Sequence, residues 1–225
     1  MNYTQLSDAI QAYTENTEAN FIAEIPVFVQ QAEQRIYNNV QFPSLRKNVT
    51  GVTTTNNKYL ACPSDFLAVY SMAVITDVTG VDLNTGTYEY LLNKDVNFIR
   101  QSYPQPDDTG VPRYYALFGP QSTNAAELSF ILGPTPDTIY NVELHYYFYP
   151  ESIVTAGTTW LGDNFDSVLL YGSLVEAYTY MKGETDMMQL YNQKFMEALA
   201  LAKRLGDGME RQDAYRSGQY RQPVT

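Results

Sequence analysis

The spacing of apolar residues changes twice along this chain, and each change constrains the topology. Before Arg46 and after Gly162, apolar side chains recur three and four residues apart, which is one face of an α-helix. Between Arg46 and Pro150 the pattern is short runs rich in Thr, Val, Tyr and Ile, punctuated by Gly, Pro and Asn, which is the signature of strands and turns. A β segment flanked by helices must leave the helical part and return to it, so its two ends lie together. No βαβ alternation or internal repeat is present. The expected fold class is therefore α+β: a helical bundle of N- and C-terminal helices with an inserted antiparallel β module, sandwich or barrel-like. The boundaries expected are helices in 1–45, the β module in 46–150, helices again in 151–205, and an extended C-terminal arm in 206–225.

Within the first segment, Leu6, Ile10 and Tyr13 share one helical face, with Thr4 the expected N-cap. A longer helix follows, with Pro26 read into its first turn and a stripe of Ile25, Phe28/Val29, Ala32, Ile36 and Val40. Glu33, Gln34 and Asn38 are placed away from that stripe, and Phe42-Pro43 ends the helix. Strands are expected at 49–53, 58–61, 67–75, 88–92, 112–118, 127–132 and 140–149, with Asn56-Asn57 as a turn and a brief helix at 93–101 capped by Asn93. A helix is expected from Asp163 or Asn164, closed by Gly183. It is apolar on two sides: Phe165, Val168, Leu169, Gly172 and Val175 on one, Leu170, Leu174, Ala177, Tyr178 and Met181 on the other. Leu170, Leu174, Tyr178 and Met181 are taken as the side that meets a neighbouring subunit. The last helix carries Met187, Tyr191, Phe195, Ala198, Leu199, Ala202 and Leu205 on one face, and Gly206-Asp207-Gly208 is read as a joint.

Composition narrows the function. The formal net charge of −11 argues against general nucleic-acid binding, because phosphates are repelled by most of such a surface. It suits a surface past which DNA slides without sticking. One cysteine, Cys62, allows no internal disulfide, and no Cys/His group has zinc spacing. No run approaches the roughly 20 apolar residues that span a bilayer, and the first residues lack the basic and apolar regions of a signal peptide. The expectation is a protein made in the cytosol, with no membrane partner. Tyrosine is used 20 times against 10 Phe and one Trp, a bias that suits subunit contacts, since Tyr buries a ring while keeping one end wet.

Residues with chemistry are few. There is no GxSxG elbow, HExxH or P-loop, so no catalytic, cofactor or metal site is assigned. His145 is the one histidine and sits in a strand, and Cys62 precedes Pro63 with no base near it in sequence. The run Tyr146 to Tyr149 could stack on sugar rings, which makes a receptor- or carbohydrate-binding protein the alternative reading. Simple alternation instead turns Tyr146 and Phe148 to the core. A glycan hydrolase would need two facing carboxylates, which sequence alone cannot pair.

The last 23 residues differ from the rest. From Lys203 onward there are five basic residues against three acidic ones, so the tail is +2 on a chain whose first 202 residues are −13. Tyr215-Arg216 and Tyr220-Arg221 repeat an aromatic-basic pair, and Tyr and Arg are the side chains that anchor interfaces. An arm of this kind is expected to dock on a partner.

Three stretches carry a family resemblance: TENTEANFIAEIPVFVQQAEQRIYNNVQFPSLRKN (14–48), WLGDNFDSVLLYGSLVEAYTYMKGE (160–184) and LGDGMERQDAYRSGQYR (205–221). With these the chain resembles the head-to-tail adaptor, or upper tail-tube, proteins of short-tailed bacteriophages. The resemblance implies a structural virion protein and no enzyme. It implies a homo-oligomeric ring of twelve copies beneath the portal ring, assembled in the host cytoplasm. The tail nozzle or tube attaches below, and DNA passes through without specific binding. It places portal docking on the arm residues Arg211, Tyr215, Arg216, Tyr220 and Arg221.

Overall fold

A computed structural model describes residues 1–105, 107–119 and 128–210 of the 225. In chain order its elements are α1 (Tyr3–Thr14), α2 (Ala19–Asn39), a 3-10 turn (Pro43–Leu45), β1 (Arg46–Val52), β2 (Tyr59–Ala61), β3 (Ala68–Thr76), a second 3-10 turn (Leu83–Thr85), β4 (Thr87–Tyr90) and β5 (Leu92–Asn93). These are followed by α3 (Val96–Ser102), β6 (Tyr114–Leu117), β7 (Ser129–Gly133), β8 (Asn141–Tyr147), α4 (Ile153–Ala156), α5 (Trp160–Asn164), α6 (Asp166–Met181) and α7 (Thr185–Glu210). The fold is α+β. The chain divides into two compact units, one of residues 46–148 and one of residues 1–45 with the chain from Tyr149 onward.

The helical unit is organised around α6, which packs against α1, α2, α5 and α7. Eight of its residues, from Val168 to Ala177, are buried, because helices lie on both of its sides. Gly172 makes the close approach possible: a Cβ there would sit 3.1 Å from the Phe195 ring of α7 and 3.2 Å from the Ala32 methyl of α2. On α2 the stripe of Ile25, Phe28, Val29, Ala32 and Ile36 is buried, with Val40 just beyond the helix.

Several helix limits differ from those expected, each for a local reason. α1 is capped by Asn2, not Thr4. The Asn2 side chain accepts from Gln5 N–H (2.9 Å) while Gln5 Oε1 accepts from Asn2 N–H (3.0 Å), a reciprocal box that Thr4 cannot form. α2 starts at Ala19, so Pro26 lies well inside it and takes away the N–H that would reach Ile22. The helix expected from Asp163 is two helices. Thr159 caps α5, and the chain breaks at Phe165, whose ring packs on Phe42 and Trp160 (centroids 5.4 and 5.5 Å). The last helix does not stop at Leu205. α7 continues to Glu210, and Gly206 is buried where a Cβ would lie 2.9 Å from the Gln41 carbonyl oxygen. Glycine at 206 therefore serves close packing within a helix, and Leu205, expected on the buried face, is exposed.

The β unit has two four-stranded sheets, ordered β1-β8-β3-β4 and β2-β7-β6-β5. Every pairing is antiparallel except β5 with β6. Inward residues of both sheets form one core, including Phe66, Met72, Val74, Phe130, Leu132, Val142, Leu144 and Tyr146. Arg46 stands opposite Tyr147 in the β1–β8 ladder, so the first and last strands of the unit are neighbours.

Candidate interaction surfaces

Most residues of both sides assigned to α6 are buried within the chain. Leu174 is fully enclosed and Leu170 nearly so, both within this one chain, which leaves them no surface for a neighbour and corrects the expectation for these two residues. The reason is α1, which covers that side of α6. Tyr178 and Met181 are half-buried. The Tyr178 hydroxyl donates to the Tyr13 carbonyl (3.4 Å), and Met181 Sδ accepts from Asn16 Nδ2 (3.5 Å). Tyr178 also joins a group of rings from three helices, with Tyr191 at 4.9 Å, and Tyr13 and Tyr171 each within 6.5 Å of Tyr191. Burial, with the Tyr178 hydroxyl second, pushes the Tyr191 phenol up to about 12. The arm residues Arg211, Tyr215, Arg216, Tyr220 and Arg221 lie outside the described residues.

Glu33 was expected on the solvated side of α2 and is instead 3 % exposed. Its Oε1 accepts from the Ile153 backbone N–H (2.9 Å), and the Ser152 side chain also acts to lower the carboxyl's pKa. A carboxylate at the start of α4 satisfies a donor that a helix leaves unpaired. Burial nevertheless raises its pKa above the ordinary value, against the lowering effect of those two groups. Tyr149, at the start of the same return segment, stacks near Tyr37 (6.4 Å), and its hydroxyl donates to Asn38. A sequence signal for Glu33 existed: it stands four residues after Val29 and three before Ile36, on the edge of the stripe.

The outward side of α2 borders an open groove of about 300 Å³, lined by Gln31, Gln34, Arg35, Asn38, Asn39 and Glu176. Arg35 and Glu176 form an ion pair within it. The far side of α7 carries a second surface. Leu190, Lys194, Glu197, Leu201 and Leu205 follow one another three or four residues apart, and all are exposed, Leu201 at 63 %.

In the β unit, Tyr146 is buried and its hydroxyl donates to Asp65 (2.7 Å), which also accepts from Lys47 (2.8 Å). Tyr146 is thereby removed from any sugar-stacking platform. Tyr147 stands on the opposite face with Tyr70 and His145, and the Arg46 guanidinium lies 4.3 Å from the Tyr70 ring. Burial pushes the Cys62 thiol up to about 12, which suppresses the nucleophilic thiolate. Among the described residues no group of His, Cys, Asp and Glu could hold a metal ion, and no helix is long and apolar enough to cross a membrane.

A family model described as SU10 adaptor protein matches residues 1–223. No curated protein matches the chain.

Proposed function

The chain belongs to the SU10 adaptor protein family, a bacteriophage structural family, and from that membership we propose that it joins the head of the particle to the tail. Copies form a ring, twelve in number, seated on the portal ring. The tail nozzle or tube attaches to the opposite side, and the DNA conduit continues through the middle. The work is mechanical and makes or breaks no covalent bond. The observation that carries this reading is the span of the match, which takes in both helical flanks, the β unit and the tail. Its charge supports it: a chain at −11 repels DNA phosphates and does not retard them in a conduit.

Portal docking is assigned to the arm, with Arg211, Arg216 and Arg221 as forked donors and Tyr215 and Tyr220 as flat anchors. The structure suggests where to cut, since α7 runs to Glu210. Electron microscopy of the protein mixed with the portal of the same phage should show a second ring below the portal. A chain ending at Glu210 should remain folded and leave the portal bare. A bare portal with the full-length, folded protein refutes the adaptor role. A ring that still forms with the truncated chain refutes the assignment to the arm alone.

A further inference from the structure

We infer that the exposed side of α7 is the contact for a second copy of this chain, which meets it with the acidic turn between its α1 and α2. The inference rests on the proposed ring and names the surfaces that close it. The α7 stripe is apolar, its Lys194 and Glu197 cancel in charge, and near its C-terminal end the exposed Arg204 borders it while the exposed Lys203 lies farther round the helix. Leu190, Leu201 and Leu205 are exposed on it, and a helix does not keep three leucines on a solvated line without reason. Lys194 is paired with Glu197 (3.6 Å). Lys203 and Arg204, about two turns from the end of α7, are both exposed.

The complementary surface is in the first 34 residues, which contain no lysine or arginine. Asp8, Glu15 and Glu18 are exposed and Glu24 is half-buried. Glu15 holds a left-handed backbone (φ 48°) at the C-cap of α1, and Glu18 stands at the N-cap position of α2 with no side-chain capping bond, so the two acidic residues flank the short connection between the helices. Exposed Tyr13, Ile22 and Val27 add apolar area around it.

One copy cannot satisfy both surfaces by itself. Tyr13 packs on Tyr191, so the acidic turn sits beside the N-terminal part of α7. Lys203 is twelve residues farther along, roughly 18 Å at 1.5 Å per residue. A second copy can bring its acidic turn to that end. Because the two surfaces differ, the contact is heterologous, the type that closes rings when the rotation permits.

Mass photometry of the full-length protein, alone and with the portal ring at low salt, tests this. Lys203→Glu/Arg204→Glu and Glu15→Lys/Glu18→Lys are each expected to weaken self-assembly at least tenfold. An equimolar mixture of the two is expected to restore it, since each altered surface then faces its opposite. All four positions are exposed, and circular dichroism checks that both variants fold. Unchanged assembly of either variant, or a mixture no better than its components, overturns the inference and leaves the ring standing. Failure of the wild type to assemble even on the portal overturns the ring and this contact together. In a Cys62→Ala background, Leu201→Cys is expected to alkylate quickly in the monomer and slowly in the assembly. Slow alkylation in the monomer that becomes fast when the chain ends at Glu210 assigns the stripe to residues 211–225, and protection by duplex DNA assigns it to nucleic acid. Either result overturns the proposal.

Discussion

Replacing Glu33 separates two roles that its side chain plays at once. The carboxylate accepts a hydrogen bond from the Ile153 N–H at the start of α4, with the Ser152 side chain close enough to lower its pKa, and it carries its charge into a site that is 3 % exposed. Glu33→Ala removes that acceptor and leaves the N–H of Ile153, itself fully buried, without its partner. A lost hydrogen bond to a charged group is worth about 1.5–3 kcal/mol, and the stranded donor forbids water from making up the difference cheaply. The expected loss is ~2–3 kcal/mol, or a fall in Tm of roughly 5–10 °C for a chain of this size. Glu33→Gln keeps an acceptor oxygen without the charge and should be near neutral.

The pH dependence gives an independent check. Burial raises the Glu33 pKa in the folded state above the 4.5 of the free side chain. The folded state then binds more proton than the unfolded state between those two values, so stability falls as pH rises through that window. Glu33→Gln should abolish that fall. Urea unfolding followed by circular dichroism at pH 4.5 and pH 7.5 measures both effects. A Glu33→Ala variant within 0.5 kcal/mol of wild type (about the error of such a comparison), or a Glu33→Gln variant as damaged as the alanine, refutes the reasoning.

Three further perturbations probe other parts of the fold. Pro26→Ala should raise stability by about 1–3 kcal/mol, because Ala restores an N–H inside α2 that can bond to Ile22, and a lower Tm would show that the proline shapes the helix to advantage. Gly206→Ala should lower stability by about 1 kcal/mol despite the better helix former, because the methyl would stand 2.9 Å from a backbone carbonyl; a more stable variant in thermal melts would rule out that tight contact. Lys47, first, and then the Tyr146 hydroxyl hold the Asp65 carboxyl below its ordinary 3.8. Its stabilising effect is therefore present above that value and lost as pH falls through the lower folded pKa, so acid unfolding of Tyr146→Phe should show a shallower loss than wild type.

What could be read from the chain followed from how many residues shared a signal. The strand expected at 140–149 is found as β8, and the alternation that turns Tyr146 to the core extends back through Val142 and Leu144, because burial of one sheet face repeats every second residue. The stripe from Ile25 to Ile36 did the same for α2. Signals resting on one residue were less secure. Thr4 and Asn2 are both good caps by type, and only the reciprocal bond with Gln5 separates them. Pro26 was read as a starting residue because proline favours first turns, yet seven residues precede it in α2 and the stripe outweighs one missing hydrogen bond. Gly206 looked like a stop for the converse reason: propensity cannot register a carbonyl 2.9 Å from where a methyl would be.

The surfaces were harder to read than the core, because the proposed contacts between copies use no distinctive residue types. A catalytic site gathers reactive side chains whose types announce it, whereas a contact between copies uses the same leucines and charges as any helix. Leu174 and Leu201 are alike in sequence, both lying on helices with apolar neighbours. α1, α2 and α7 enclose the first, and the second is 63 % exposed. An apolar second side on α6 was thus properly a sign of contact, but the contact is with α1 of the same chain. The exposed leucines left over after such internal partners lie on α7, with Lys203 and Arg204 exposed near its end, and there the proposed contact with a second copy is placed. The charge segregation along the chain, with no lysine or arginine before Arg35 and an excess of them from Lys203 onward, is what the proposed contact between copies would use.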